Sequence, residues 1–336
     1  MPSRAKKPLV VISMGCPSGI GPEVSVAAAA KHPELDVVIV GDIGTLLAAA
    51  PVVRVAEQRL VPFGGKRGPK GSIAVVQAGP ALLPDDRLPG KPTKAGGAAQ
   101  LAAVNAAYKL VKQTPGSVLV TAPVSKAAIA NSGVPGAKGF TGHTEWLERL
   151  DRAKTSVMCF VGAGLATSLV TTHVPLSAVP KLLTPARIAD ATVWLARLLQ
   201  QLGKKKPHVV VASLNPHAGE GEMFGREEAR ALVPGMKLAA RREPDARIEG
   251  PLGAETAFRK SYAGKYDGVV AMYHDQATIP MKLVAFGKAV NVTMGLSVPR
   301  TSVDHGTAYD IAWRGEADSS GMEAAIELGG RLAKSR

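Results

Sequence analysis

The chain has 336 residues, 46% of them hydrophobic and 20% charged, with a formal net charge of +14. That length can bury a sizeable core and favours two domains over one, and the composition excludes a fibrous or intrinsically disordered chain. Two cysteines, Cys16 and Cys159, exclude a disulfide framework and a Cys-x-x-Cys metal site. No segment reaches the roughly 20 apolar residues of a membrane span, so a cytoplasmic protein with no membrane partner is expected. The positive charge invites a nucleic-acid partner, but the basic clusters Lys66–Lys70 and Lys204–Lys206 are short and lack flanking aromatics to stack bases. They are better read as a solvated basic surface, and no nucleic-acid partner is expected.

In chain order, Pro8–Met14 predicts a first strand. The turn Gly15-Cys16-Pro17-Ser18-Gly19-Ile20-Gly21-Pro22-Glu23 and an Ala-rich helix over Val24–Ala30 follow. The glycine spacing is neither a Rossmann fingerprint nor a P-loop. Asp36–Val40 predicts a strand and Ile43–Ala50 a helix, with further strands at Val52–Val55, Val61–Phe63 and Ile73–Val76. Pro80–Gly97 reads as a long loop, Ala98–Lys112 as an amphipathic helix, and Ser117–Thr121 as a buried strand leading to Ser125 and Lys126. Strands alternating with helices predict a doubly wound α/β architecture, in which ligands sit beyond the carboxyl ends of the strands. Lys126 therefore reads either as a functional residue or as a surface lysine opening a helix. The Gly-rich stretch Asn131–Gly142 leads to His143, with Thr144 expected to cap a helix over Glu145–Leu150.

Three later histidines share a pattern. Strands predicted over Ala166–Thr172, Val209–Leu214 and Gly268–Tyr273 each end within a few residues of an imidazole: His173, His217 and His274. Equivalent strand ends lie on one rim of a sheet, where three nitrogen ligands with open positions would suit a catalytic divalent ion. The same histidines also read as hydrogen-bonded loop residues. His32 and His208 look structural, and His305 is undecided. Beyond His274, a loop is expected, then Lys282, an apolar stretch Val290–Met294 holding Asn291, and Arg300. These amide, ammonium and guanidinium donors suit a phosphate or carboxylate. Glu220 and Glu222 could support a metal site, but they read better as solvated loop carboxylates. Met322–Leu332 predicts a terminal helix packing on the first domain.

Taken together, 14–23, 121–126, 140–145, 213–220, 273–276 and 300–307 resemble the 4-hydroxythreonine-4-phosphate dehydrogenase family of vitamin B6 biosynthesis (PdxA) over nearly the whole chain. The Asn-Pro-His-Ala-Gly-Glu and Tyr-His-Asp-Gln strings are the most specific. The resemblance implies a two-domain isocitrate/isopropylmalate-dehydrogenase-like fold with the active-site cleft between domains. The expected division is 1–134 plus 304–336, and 135–303 with the metal site and dimer interface. It implies a homodimer with a shared active site, His173, His217 and His274 as metal ligands, and His143, Thr144, Lys282, Asn291 and Arg300 as substrate ligands.

It further implies oxidation of 4-phosphohydroxy-L-threonine with NAD or NADP and a divalent ion (Zn, Mg or Co). The 3-oxo acid formed then decarboxylates to 3-amino-2-oxopropyl phosphate. Lys126, Asp275 and a metal-bound water are the candidates for general base, and the cofactor-binding residues are not assigned. Cys16 where the family carries an acid, Glu255 for Asp and Ala277 for Gly leave room for a paralogue acting on erythronate or threonate 4-phosphate. A metal-dependent hydrolase is a more distant alternative.

Overall fold

In the computed structural model, which describes residues 7–65 and 71–335, the chain forms two compact units, 1–153 with 296–336, and 154–295. The cluster Lys66–Lys70 lies outside the described residues. The first unit takes in 135–153 and 296–303, which the sequence reading had placed with the second. The reason is packing: Leu147, Leu296 and Val298 are buried in the first unit's core beside Val104 and Leu119.

The first unit begins β1 (Leu9–Ser13), α1 (Gly21–Lys31), β2 (Asp36–Gly41), α2 (Ile43–Val52), β3 (Leu60–Pro62) and β4 (Ile73–Gln77). It continues with α3 (Lys94–Gln113), β5 (Ser117–Thr121), α4 (Lys126–Ala130) and α5 (His143–Asp151). The second unit contains β6 (Val157–Gly162), β7 (Leu165–Leu169), α6 (Val179–Leu182), α7 (Pro185–Gln201), β8 (His208–Ala212) and α8 (Val233–Arg242). β9 (Arg247–Leu252), α9 (Ala254–Tyr262), β10 (Gly268–Ala271), α10 (His274–Ala285) and β11 (Val290–Met294) complete it. The chain then returns to the first unit with β12 (Arg300–Ser302) and α11 (Ser320–Lys334).

Within the first unit the strands run β3-β4-β2-β1-β5-β12, all parallel. β1 and β5, buried on both faces, are the Val/Ile/Leu runs that a helix-covered parallel sheet demands. α11 packs beside β12, where Thr301 Oγ1 donates to the Ala325 carbonyl at 2.8 Å. In the second unit the order is β11-β6-β7-β10-β8-β9, with β6 antiparallel to both its neighbours and the rest parallel. Its core gathers Phe160, Leu165, Val210, Val269 and Met281.

Four local expectations are corrected. Val52–Val55 is no strand: Val52 ends α2, and Arg54 (φ 58°) turns the chain in the left-handed region. α3 starts at Lys94, inside the expected loop, because Thr93 caps it by accepting from Gly96 N at 3.0 Å. Gly97 is required there, since a Cβ would sit 2.0 Å from the Ala128 carbonyl oxygen. Thr144 is not a cap. α5 begins at His143, behind an extended Gly142, so the helix start carries no side-chain cap. Finally, the residues after β10 form no loop: His274 opens α10, which carries Lys282 in its last turn.

Candidate active site

In the first unit the loops after β1, β5 and β12 meet at the carboxyl ends of their strands. Cys16 N donates to the Pro123 carbonyl at 2.9 Å and Ile20 N to the Thr307 carbonyl at 3.0 Å. Beside them Ser125 caps α4, accepting from Ala128 N at 3.2 Å, and Lys126 opens that helix, exposed. Arg300, only 2% exposed, directs Nε and Nη2 to Thr121 Oγ1 at 3.2 and 2.6 Å. Burial lowers its pKa to about 10, against the opposing pull of Glu145, so it remains a cation at neutral pH.

His143 lies in the same field. Loss of water, then the charges of Arg300 and Lys126, hold its pKa well below the ordinary imidazole value. Among the described residues its buried Nε2 has no hydrogen-bond partner. A neutral imidazole with an idle ring nitrogen beside two cations suits a polar anionic ligand. Thr144 follows it within α5.

The second unit positions two of the three predicted metal ligands together. β7 and β10 pair in parallel, and the pairing continues past the strands: Val170 N donates to the Ala271 carbonyl at 2.9 Å and Thr171 N to the Met272 carbonyl at 3.2 Å. Two residues on, His173 and His274 face each other with ring centroids 5.5 Å apart. They line an open cavity of 320 Å³ together with Val174, Leu176 and Tyr273. His274 Nδ1 lies 2.7 Å from Asp275 Oδ1; a carboxylate there suits a proton on Nδ1, which leaves Nε2 as the potential ligand atom. Gln276 braces the same rim, accepting from Met272 N at 2.7 Å and donating to the Ser213 carbonyl at 2.8 Å.

His217 is not gathered with this pair. Among the described residues no three His, Cys, Asp or Glu side chains are grouped to hold a metal ion. Its loop instead holds an uncommon backbone: His217, Ala218 and Glu220 all have left-handed φ, 51°, 54° and 40°. Each such non-glycine residue costs roughly 1–2 kcal/mol, so something must hold the turn. The buried Glu228 carboxylate does, accepting from Leu214 N, Asn215 N and Asn215 Nδ2 at 3.0, 2.8 and 2.9 Å. Glu227 takes a second bond from Asn215 Nδ2 at 2.8 Å. Glu228, Glu227 and Asn215 thus support the loop, while Glu220 and Glu222 are exposed, Glu222 in an ion pair with Arg226, as solvated loop carboxylates would be.

Lys282 is exposed on α10, and Asn291, half-buried on β11, has a buried Oδ1 with no hydrogen-bond partner among the described residues. Sequence reasoning also missed Thr121, whose hydroxyl meets Arg300, and Glu23. Glu23 is fully buried and accepts from Trp313 N at 2.6 Å and Gly315 N at 3.0 Å. A carboxylate in the first turn of α1 was the one available signal for it. Among the described residues no helix is long and apolar enough to cross a membrane.

Comparison with known proteins agrees along the chain. Residues 34–329 match the family model of the pyridoxal phosphate biosynthetic protein PdxA. The chain is 41% identical to 4-hydroxythreonine-4-phosphate dehydrogenase of Desulfosudis oleivorans, with 96% of this chain and 95% of that protein covered. It is 36% identical to D-threonate 4-phosphate dehydrogenase of Salmonella typhimurium, covering 96% and 98%. The crystal structure of 4-hydroxythreonine-4-phosphate dehydrogenase from Klebsiella pneumoniae superposes with a TM-score of 0.83 at 33% identity, covering 97% of this chain and 99% of that one. These relatives are dehydrogenases, which sets the hydrolase reading aside. The chain is an α/β oxidoreductase that belongs to the PdxA family of pyridoxal phosphate biosynthetic proteins.

Proposed function

We propose that the chain oxidises the secondary hydroxyl of 4-phosphohydroxy-L-threonine, passing hydride to NAD or NADP and releasing a proton. The 3-oxo acid then loses CO₂ to give 3-amino-2-oxopropyl phosphate. The observation that carries this reading is the buried Arg300 beside His143 and Lys126, a fixed positive region fit for a phosphorylated substrate. Arg300 and Lys282 take the phosphate, Arg through parallel hydrogen bonds. Neutral His143, Thr144 and Asn291 Oδ1 take the substrate's polar groups.

The paired imidazoles of His173 and His274, one oriented by Asp275, fit a divalent ion as far as one chain goes. A zinc, magnesium or cobalt ion so held supplies Lewis acidity toward the substrate hydroxyl. Asp275 is engaged in orienting His274; a water on the ion, and Lys126 only after giving up its own proton, would remain the candidates to take the hydroxyl proton. His217 joins the set in a homodimer. Ile279, Leu283 and Phe286, at helical spacing along and just after α10, are 60%, 81% and 84% exposed. Met223 and Phe224 after His217, and Leu176 after His173, are exposed as well, and apolar clusters of this kind mark contact surfaces. A cytoplasmic setting goes with this reading, since Cys16 and Cys159 are both free.

The test is reduction of NAD and of NADP, offering 4-phosphohydroxy-L-threonine beside D-threonate 4-phosphate. The phosphohydroxythreonine reading predicts the higher kcat/KM for the amino acid. A preference for the threonate, or for the erythronate isomer, would move the chain to the sugar-acid reading, for which the Cys16, Glu255 and Ala277 departures leave room and of which the Salmonella typhimurium relative bears the name.

A further inference from the structure

We propose that Thr121 is a positioning residue for the reaction: its hydroxyl sets the plane of the Arg300 guanidinium toward the substrate phosphate, a role that rests on the phosphate-binding reading of Arg300. The geometry is specific. Thr121 Oγ1 accepts from both Nε and Nη2 of Arg300, at 3.2 and 2.6 Å, so two donors of one rigid fork converge on a single oxygen. A guanidinium held along one edge loses its rotation about the Cδ–Nε bond, and a planar ion gains most from a phosphate when its plane is set beforehand.

The hydroxyl is itself fixed. Thr121 is fully buried, and β5 is paired on both sides, with Ser13 of β1 and Ser302 of β12 as its register partners. Ala122 N donates to the Ser13 carbonyl at 3.1 Å and Ser302 Oγ to the Thr121 carbonyl at 3.2 Å, which hold the strand end from both neighbours. A β-branched side chain on such a backbone has few rotamers. The hydroxyl is also neutral. It orients Arg300 without cancelling the charge the phosphate needs, as a carboxylate at this position would.

Thr121→Val removes the hydroxyl and keeps the branched shape, and Thr121→Ala removes it without crowding. Thr121→Ser keeps it. The expected result is a rise of about tenfold or more in KM for the phosphorylated substrate in both hydroxyl-less variants, with a much smaller fall in kcat, and near-native KM for Thr121→Ser. Arg300→Ala, measured alongside, is expected to raise KM further. If Arg300→Ala raises KM while Thr121→Val and Thr121→Ala leave it unchanged, the positioning role is overturned and the phosphate reading stands. If Arg300→Ala also leaves KM unchanged, the phosphate reading itself fails and the role falls with it. A loss of folded protein in Thr121→Val, with native KM in Thr121→Ala, likewise contradicts the proposal.

Discussion

His217→Ala is expected to lower kcat/KM by more than about 100-fold, because even groups behind a metal ligand are worth 10- to 100-fold and this one is proposed to be a ligand itself. The chain should stay folded. Alanine already occupies the left-handed region at the next position, so the turn tolerates it, and the hydrogen bonds that hold the loop run to Glu228 and Glu227. His217→Gly sharpens the test. Glycine adopts φ 51° without strain, so this variant should melt at or above the native temperature and still lose activity and bound metal. Turnover retained in either variant at trace metal would remove His217 from the ligand set.

Leu283→Glu should convert the protein to monomers and abolish turnover with it. Leu283 is 81% exposed on one chain, so a carboxylate there costs the isolated chain nothing. In a two-fold dimer each substitution counts twice. Burying two unpaired carboxylates, at several kcal/mol each, would weaken association on the order of 10⁴-fold. Light scattering after size exclusion reads the mass, and titration with zinc reads the metal site. A monomer that keeps full activity and binds zinc with native affinity would contradict the shared site.

The strand-end histidines were legible because parallel strands are apolar runs, and whatever follows each run must lie on one rim. That logic placed His173 beside His274, helped by pairing that runs on through Thr171 and Met272. It could not show that His217 stands apart from the pair within one chain, because a left-handed turn of His, Ala and Glu has no sequence signature. Thr144 looked like a helix cap only because capping follows residue type; the extended Gly142 moved the helix start two residues.

The same limit hid the supporting residues. Thr121 reads as an ordinary strand former until Arg300, 179 residues away, reaches its hydroxyl. Glu228 reads as a solvated helix carboxylate, yet it is 6% exposed and holds the His217 loop. Lys204, one of the basic cluster read as surface charge, pairs with Asp267 at 2.7 Å with its side chain 58% exposed, as that reading expected.

The most direct measurement is the absorbance of reduced nicotinamide as the protein, 4-phosphohydroxy-L-threonine and NAD or NADP are mixed, before and after exhaustive chelation. The proposed chemistry predicts a signal that disappears with the chelator and returns on adding a divalent ion. Turnover undiminished after chelation, or no reduction of either nucleotide at any metal concentration, would contradict it.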